Sequence, residues 1–132
     1  MADADREVNV RLLEGYRAEA TDGRHVVTLD EPEDAGGTDA GMTPVQLLLT
    51  ALGGCSAITV RMYAARKGWP LEDVSVDVKL YRPARETPRI VQEVNLVGAL
   101  DDEQRQRLLD IAGRCPVHKL VDGPLDTEER FA

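Results

Sequence analysis

From Ala40 to Val60 the chain carries no formal charge for 21 residues, and this stretch constrains the fold more than any other. It opens on Thr43-Pro44-Val45-Gln46, where Thr43 can cap a helix, Pro44 suits the first helical position and Gln46 can reach back to complete a capping box. The predicted helix runs to about Arg66, with Gly68 ending it. Its apolar positions, among them Leu47, Leu48, Leu49, Leu52, Ile58, Val60 and Met62, go round most of the cylinder. A helix of that kind is buried on nearly all sides. In a chain of 132 residues this predicts that a second subunit supplies part of the cover. The same stretch contains Gly41, Pro44, Gln46, Gly53, Gly54 and Ser56, so its hydropathy is modest, and a helix buried inside the protein explains it better than a membrane span.

The flanking segments predict an α+β fold in one domain spanning residues 1–132. Val8, Val10 and Leu12 alternate, a strand follows over Tyr16 to Ala20, and Asp22-Gly23 marks a hairpin leading into His25 to Leu29. Residues 31–41 are rich in Gly, Asp and Pro and read as a loop. Val74, Val76, Val78 and Leu80 mark a further strand, paired with Ile90 to Leu100. Asp101 caps a helix reaching Arg114, with Gln104 completing its box and Leu108, Leu109 and Ile111 facing inward. Cys115-Pro116 restarts a short helix to about Val121.

Charge narrows the function. The formal net charge is −8 with no Lys/Arg cluster, which excludes nucleic acid and anionic membrane surfaces as expected partners. MADADREVNV lacks the basic start and apolar run of a signal peptide, so a cytoplasmic location is expected. There is no glycine-rich phosphate loop and no Ser-His-Asp arrangement, and no cofactor is implied.

Chemistry therefore falls on Cys55 and Cys115. They can be two buried small hydrophobes or a working pair. Gly53 and Gly54, each costing about 1 kcal/mol in a helix relative to alanine, mean that something approaches the backbone beside Cys55, either a packed element or a substrate. Cys115, before Pro116, is placed to be an N-cap, where a helix N-terminus favours a thiolate. Cys55, in mid-helix, has no such help. Cys115 and His118, with only Cys55 or His25 to add, fall short of a metal site.

Taken together, Thr43-Pro44-Val45-Gln46-Leu47-Leu48-Leu49, Ala51-Leu52-Gly53-Gly54-Cys55 and Cys115-Pro116-Val117-His118-Lys119 resemble the OsmC/Ohr family, the osmotically inducible and organic hydroperoxide resistance proteins. The Leu-Gly-Gly-Cys form is most similar to the OsmC-like branch. The resemblance implies an intertwined homodimer with two central cysteine-bearing helices wrapped by antiparallel sheets. It implies a thiol peroxidase in which Cys55 attacks an organic hydroperoxide and becomes a sulfenic acid. Cys115 then resolves it as a disulfide, and a dithiol reductant, lipoyl-type in some members, restores both. By the same resemblance Arg24 is the arginine that pairs with the reactive thiolate. The family's supporting glutamate is replaced here: Val45 stands at the peroxidases' position and Gln46 at the one used by other members. The alternative function is a thiol redox sensor or small-ligand-binding protein on the same fold. A third reading is a structural dimer with inert cysteines.

Overall fold

The computed structural model describes residues 4–132. They fall into two compact units, one ending at Leu48 and the other running Leu49–Ala132.

The first unit is an antiparallel meander of β1 (Asn9–Leu12), β2 (Ala18–Thr21) and β3 (Val26–Leu29). The β2–β3 turn is the hairpin expected at Asp22-Gly23. Gly23 takes φ 98°, a left-handed conformation that costs glycine little. Asp22 Oδ1 accepts from the backbone N–H groups of Arg24 and His25 at 2.8 and 2.7 Å, and its second oxygen meets the His25 ring at 2.8 Å. These bonds, the His25 ring first, hold the Asp22 carboxyl well below the usual carboxylate range.

After β3 the chain turns around one carboxylate. Asp30 is buried and accepts from Glu31 N–H, Thr38 N–H, Thr38 Oγ1–H and Ala40 N–H at 2.8, 3.2, 2.6 and 3.1 Å. It ties both ends of the loop over residues 31–41 to the end of β3. A Cβ on Gly37 would sit 2.0 Å from the Glu31 carbonyl oxygen, so the knot leaves no room for a side chain there. The Thr38 hydroxyl, ahead of the backbone donors, holds the Asp30 pKa down to about 2 against the opposing effect of burial. A carboxylate with a lowered folded-state pKa stabilises the fold above its ordinary value and loses that contribution as pH falls through the folded value. Urea denaturation from neutral pH downward is therefore expected to show a midpoint falling between 3.8 and about 2. In Asp30→Asn the midpoint should start lower and fall less over that window.

The long helix α1 (Pro44–Lys67) begins in the first unit and ends in the second. Its start is the capping box read from the sequence: Thr43 N–H donates to Gln46 Oε1 at 2.9 Å, and Gln46 N–H donates to Thr43 Oγ1 at 3.1 Å. Gly68, at φ 68°, ends it. The expected burial on nearly all sides is not met within one chain. Only Leu52, Gly53, Ser56, Val60 and Ala64 are buried, whereas Ile58 and Met62 are 59% and 62% exposed.

In the second unit α1 is followed by a two-stranded antiparallel sheet of β4 (Leu71–Tyr81) and β5 (Arg89–Gly98), then α2 (Asp102–Ala112) and α3 (Pro116–Asp122). The core holds Val60, Ala64, Leu71, Leu108 and Ala112, ringed by Tyr63, Trp69, Val74, Val94, Leu96 and Leu100. β4 starts earlier than the valine alternation predicts. Leu71 is buried and pairs with Gly98 across a register shift that interrupts the alternation before Asp73. α2 carries the expected Asp101–Gln104 box, but Leu109 does not face inward. It is 48% exposed, because Leu108, Ile111 and Ala112 define the buried face and Leu109 lies one residue, about 100°, round from it. Trp69 stands edge-on to Tyr63 with ring centroids 5.6 Å apart.

Candidate active site

Cys55 and Cys115 lie 60 residues apart in sequence, and the second unit brings their sulfurs together. Cys55 sits in the middle of α1, half-buried; Cys115 precedes α3 and is fully buried. Both are free thiols.

Pro116 creates the position of Cys115. A proline at the first helical position leaves the preceding residue extended, and Cys115 adopts φ −72°, ψ 154° as the N-cap of α3. Its Sγ accepts from His118 N–H at 3.2 Å, in the way a serine or aspartate would cap. The expectation of an N-capping Cys115 holds.

Cys55 is less isolated than its mid-helix position suggests. Cys115, the Val117 backbone N–H and the Thr59 side chain all lie near enough to its sulfur to act on its ionisation. The first turn of α3 therefore acts on both thiols: His118 N–H donates to Cys115, and Val117 N–H favours ionisation of Cys55. Burial nevertheless pushes the Cys55 thiol above its ordinary value, and the neighbouring Cys115 adds to this, while Val117 and Thr59 oppose both. A thiol in that condition needs a cation to become a nucleophile at neutral pH.

Sequence reasoning missed the floor of the site. Ser56, fully buried, has its hydroxyl 3.0 Å from the Ala112 carbonyl oxygen and 3.7 Å from Cys115 Sγ. Gln92 Nε2 donates to the same hydroxyl at 3.1 Å. A serine beside the cysteine gave a weak signal; a glutamine in β5, 36 positions away, gave none. Next to these residues is a cavity of about 400 Å³ lined by Leu52, Pro88, Arg89, Ile90, Gln92, His118 and others.

The two glycines have different surroundings. A Cβ on Gly53 would stand 2.6 Å from Val78 Cγ2, so β4 is the element that approaches the helix there. Beside Gly54, among the described residues, no atom apart from the adjacent residues and the helix's own backbone lies within 4 Å of that point.

The other two sequence-derived candidates, Arg24 and Gln46, belong to the first unit. Arg24 follows the β2–β3 turn, with its backbone fixed by Asp22. Gln46 uses Oε1 in the α1 cap. Among the described residues no group of three or more His, Cys, Asp or Glu side chains is placed to hold a metal ion.

The α+β chain sets a helix-borne cysteine and an N-capping one in the same unit, and comparison with known proteins gives its family. A family model described as OsmC-like protein matches residues 36–130. The chain belongs to the OsmC-like family. Its fold is shared by the OsmC-like protein of Mycoplasma pneumoniae (22% identity, 92% of this chain and 90% of that one, TM-score 0.78). It is shared too by an organic hydroperoxide resistance protein OsmC of Legionella pneumophila (24%, 94% and 95%, 0.65). A further match is the organic hydroperoxide resistance protein OhrB of Bacillus subtilis (23%, 91% and 92%, 0.62). No curated protein matches the chain in sequence.

Proposed function

We propose that this protein is a thiol-dependent peroxidase for organic hydroperoxides. The observation that carries the reading is a pair of free thiols in one unit, Cys55 on α1 and Cys115 capping α3, near enough for Cys115 to act on the ionisation of Cys55. The Cys55 thiolate attacks the terminal peroxide oxygen; the O–O bond breaks, and the alkoxide takes a proton and leaves as alcohol. The Cys115 sulfur then attacks the resulting sulfenic acid, the S–O bond breaks, and hydroxide leaves with the Cys115 proton as water. An external dithiol reduces the bridge and is itself oxidised to a disulfide.

Since burial raises the Cys55 thiol, the reading requires a cation, and Arg24 is the residue proposed to supply it. The test is consumption of cumene or tert-butyl hydroperoxide with dihydrolipoamide or dithiothreitol. Turnover in the wild-type chain and none in Cys55→Ser is expected; no turnover in either, with both thiols reactive, would sink the proposal. Arg24→Ala is expected to slow the first step about tenfold or more at neutral pH, a loss of one thiol pKa unit's worth of thiolate or more. The deficit should shrink at alkaline pH, where Cys55 ionises unaided.

Pairing of two chains belongs to the same proposal. Ala51, Ile58 and Met62 are exposed on the side of α1 that carries Cys55, spaced so that they form one stripe. Sedimentation velocity is expected to give a dimer, and a monomer at micromolar concentration would count against it.

The second reading, a thiol redox sensor or small-ligand protein, is favoured by Val45 and by a neutral Gln46 whose Oε1 serves the helix cap. Intact mass after mild oxidation separates the two. Rapid loss of two protons supports bridging; stable adducts on Cys55 support ligand capture.

A further inference from the structure

Cys115 is fully buried, so any charge that develops on its sulfur is served by protein groups rather than by water. Two polar groups are in place. His118 N–H donates at 3.2 Å and is fixed by the backbone. The Ser56 hydroxyl can move: it has one proton and two acceptors within reach, the Ala112 carbonyl oxygen at 3.0 Å and Cys115 Sγ at 3.7 Å. Gln92 Nε2 occupies one lone pair of the same oxygen at 3.1 Å, holding it in place while leaving its proton free to rotate.

We infer that Ser56 is a catalytic residue of the resolving step. Its hydroxyl turns from the Ala112 carbonyl to the Cys115 sulfur as that sulfur attacks Cys55 and its proton goes to the group displaced from Cys55 (hydroxide leaving as water), and Gln92 is the positioning residue that holds it. This rests on the reading of Cys55 and Cys115 as a bridging pair, though not on the identity of the oxidant. While Cys115 is a neutral thiol the carbonyl is the better and nearer acceptor. Once the sulfur carries charge the preference reverses, because hydrogen bonds to ionised groups are roughly twice as strong as neutral ones. The rotation moves no heavy atom of the packed core.

Gln92 offers a separate check. Its Oε1 is buried with no hydrogen-bond partner among the described residues. A leucine there removes an unsatisfied oxygen along with the bond to Ser56, and these changes oppose one another in stability. A purely structural role for Gln92 would leave the thiol chemistry unmoved.

The step can be isolated without peroxide by using 2,2′-dithiodipyridine. Half-buried Cys55 attacks the reagent, forms a mixed disulfide and releases one pyridinethione. Cys115 then attacks the Cys55 sulfur, forming the protein disulfide and releasing the second. Ser56→Ala is expected to leave the first stage unchanged and slow the second about tenfold at neutral pH, the effect of losing one hydrogen bond to a charged group. Its pH midpoint should move upward, and Ser56→Thr, which keeps the hydroxyl, should recover most of the rate. Gln92→Leu should slow the second stage about threefold, the smaller loss expected for an indirect bond, with thermal stability unchanged. It also serves as the deciding variant should Ser56→Ala fail to fold. Equal second-stage rates and pH midpoints in the wild type and the variants would overturn the role of Ser56. A wild-type chain that releases only one pyridinethione would overturn the bridging pair itself, whereas failure of the peroxidase reading alone would leave both stages intact.

Discussion

Cys115→Ser is expected to consume one equivalent of an alkyl hydroperoxide and then nearly stop. Cys55 keeps its place in α1, and the Val117 N–H and Thr59 side chain that favour its ionisation do not require the Cys115 thiol, so oxidation to the sulfenic acid proceeds. What is lost is a neighbouring thiol close enough to act on the ionisation of Cys55. Well-oriented intramolecular groups act at effective concentrations of about 10⁵ M and above, whereas an external dithiol acts at millimolar concentration. A fall in steady-state turnover of about a hundredfold or more is the conservative expectation on that scale. Intact mass should show one added oxygen atom, trapped by dimedone, in the variant, and loss of two protons in the wild type. Full turnover by Cys115→Ser would remove Cys115 from the mechanism and leave it a buried cap.

The second large effect concerns stability. Gly53→Ala should destabilise the fold although alanine is the better helix former by about 1 kcal/mol. The new methyl would meet Val78 Cγ2 at 2.6 Å, and a valine on a paired strand has little freedom to retreat. Overpacking of this kind costs about 1–3 kcal/mol, so the net change in chemical denaturation should be a loss of up to about 2 kcal/mol. Val78→Ala in the same chain should recover much of it, since the colliding methyl is then gone. Gly54→Ala is the control. Among the described residues nothing beyond the adjacent residues and the helix's own backbone lies within 4 Å of its would-be Cβ, so the substitution should stabilise by up to about 1 kcal/mol. A loss at Gly54 instead would mean that a surface from another chain comes close there.

The helix termini were legible because their signals are local. Thr43 and Gln46, Asp101 and Gln104, and Cys115 before Pro116 each act within three residues, and each forms the cap its spacing predicts. Alternation was sufficient for the strand cores, though not for the start of β4, where the register shift near Leu71 breaks the period. Counting apolar residues round α1 gave its character correctly but not its burial, which depends on what covers it. The thiol pair could be named from its motifs. Its surroundings could not, because Ser56 meets Cys115 across 59 residues and Gln92 meets Ser56 across 36. Nor does any local rule assign Val117 N–H to Cys55. Asp30 went unnoticed for a similar reason: it ends an ordinary strand, and only the folded loop shows four donors converging on it.

The pairing of Trp69 with Tyr63 has an optical consequence. Trp69 is the chain's sole tryptophan and lies against the core of the second unit, so its emission reports on residues 49–132. With Tyr63 at 5.6 Å, excitation absorbed by that tyrosine should pass to the indole in the folded state and return to tyrosine emission on unfolding. A fluorescence melt therefore follows the thiol-bearing unit, while far-ultraviolet circular dichroism also registers the β1–β3 meander. Superimposable curves from the two signals would mark one cooperative transition, and displaced curves would resolve the two units by temperature.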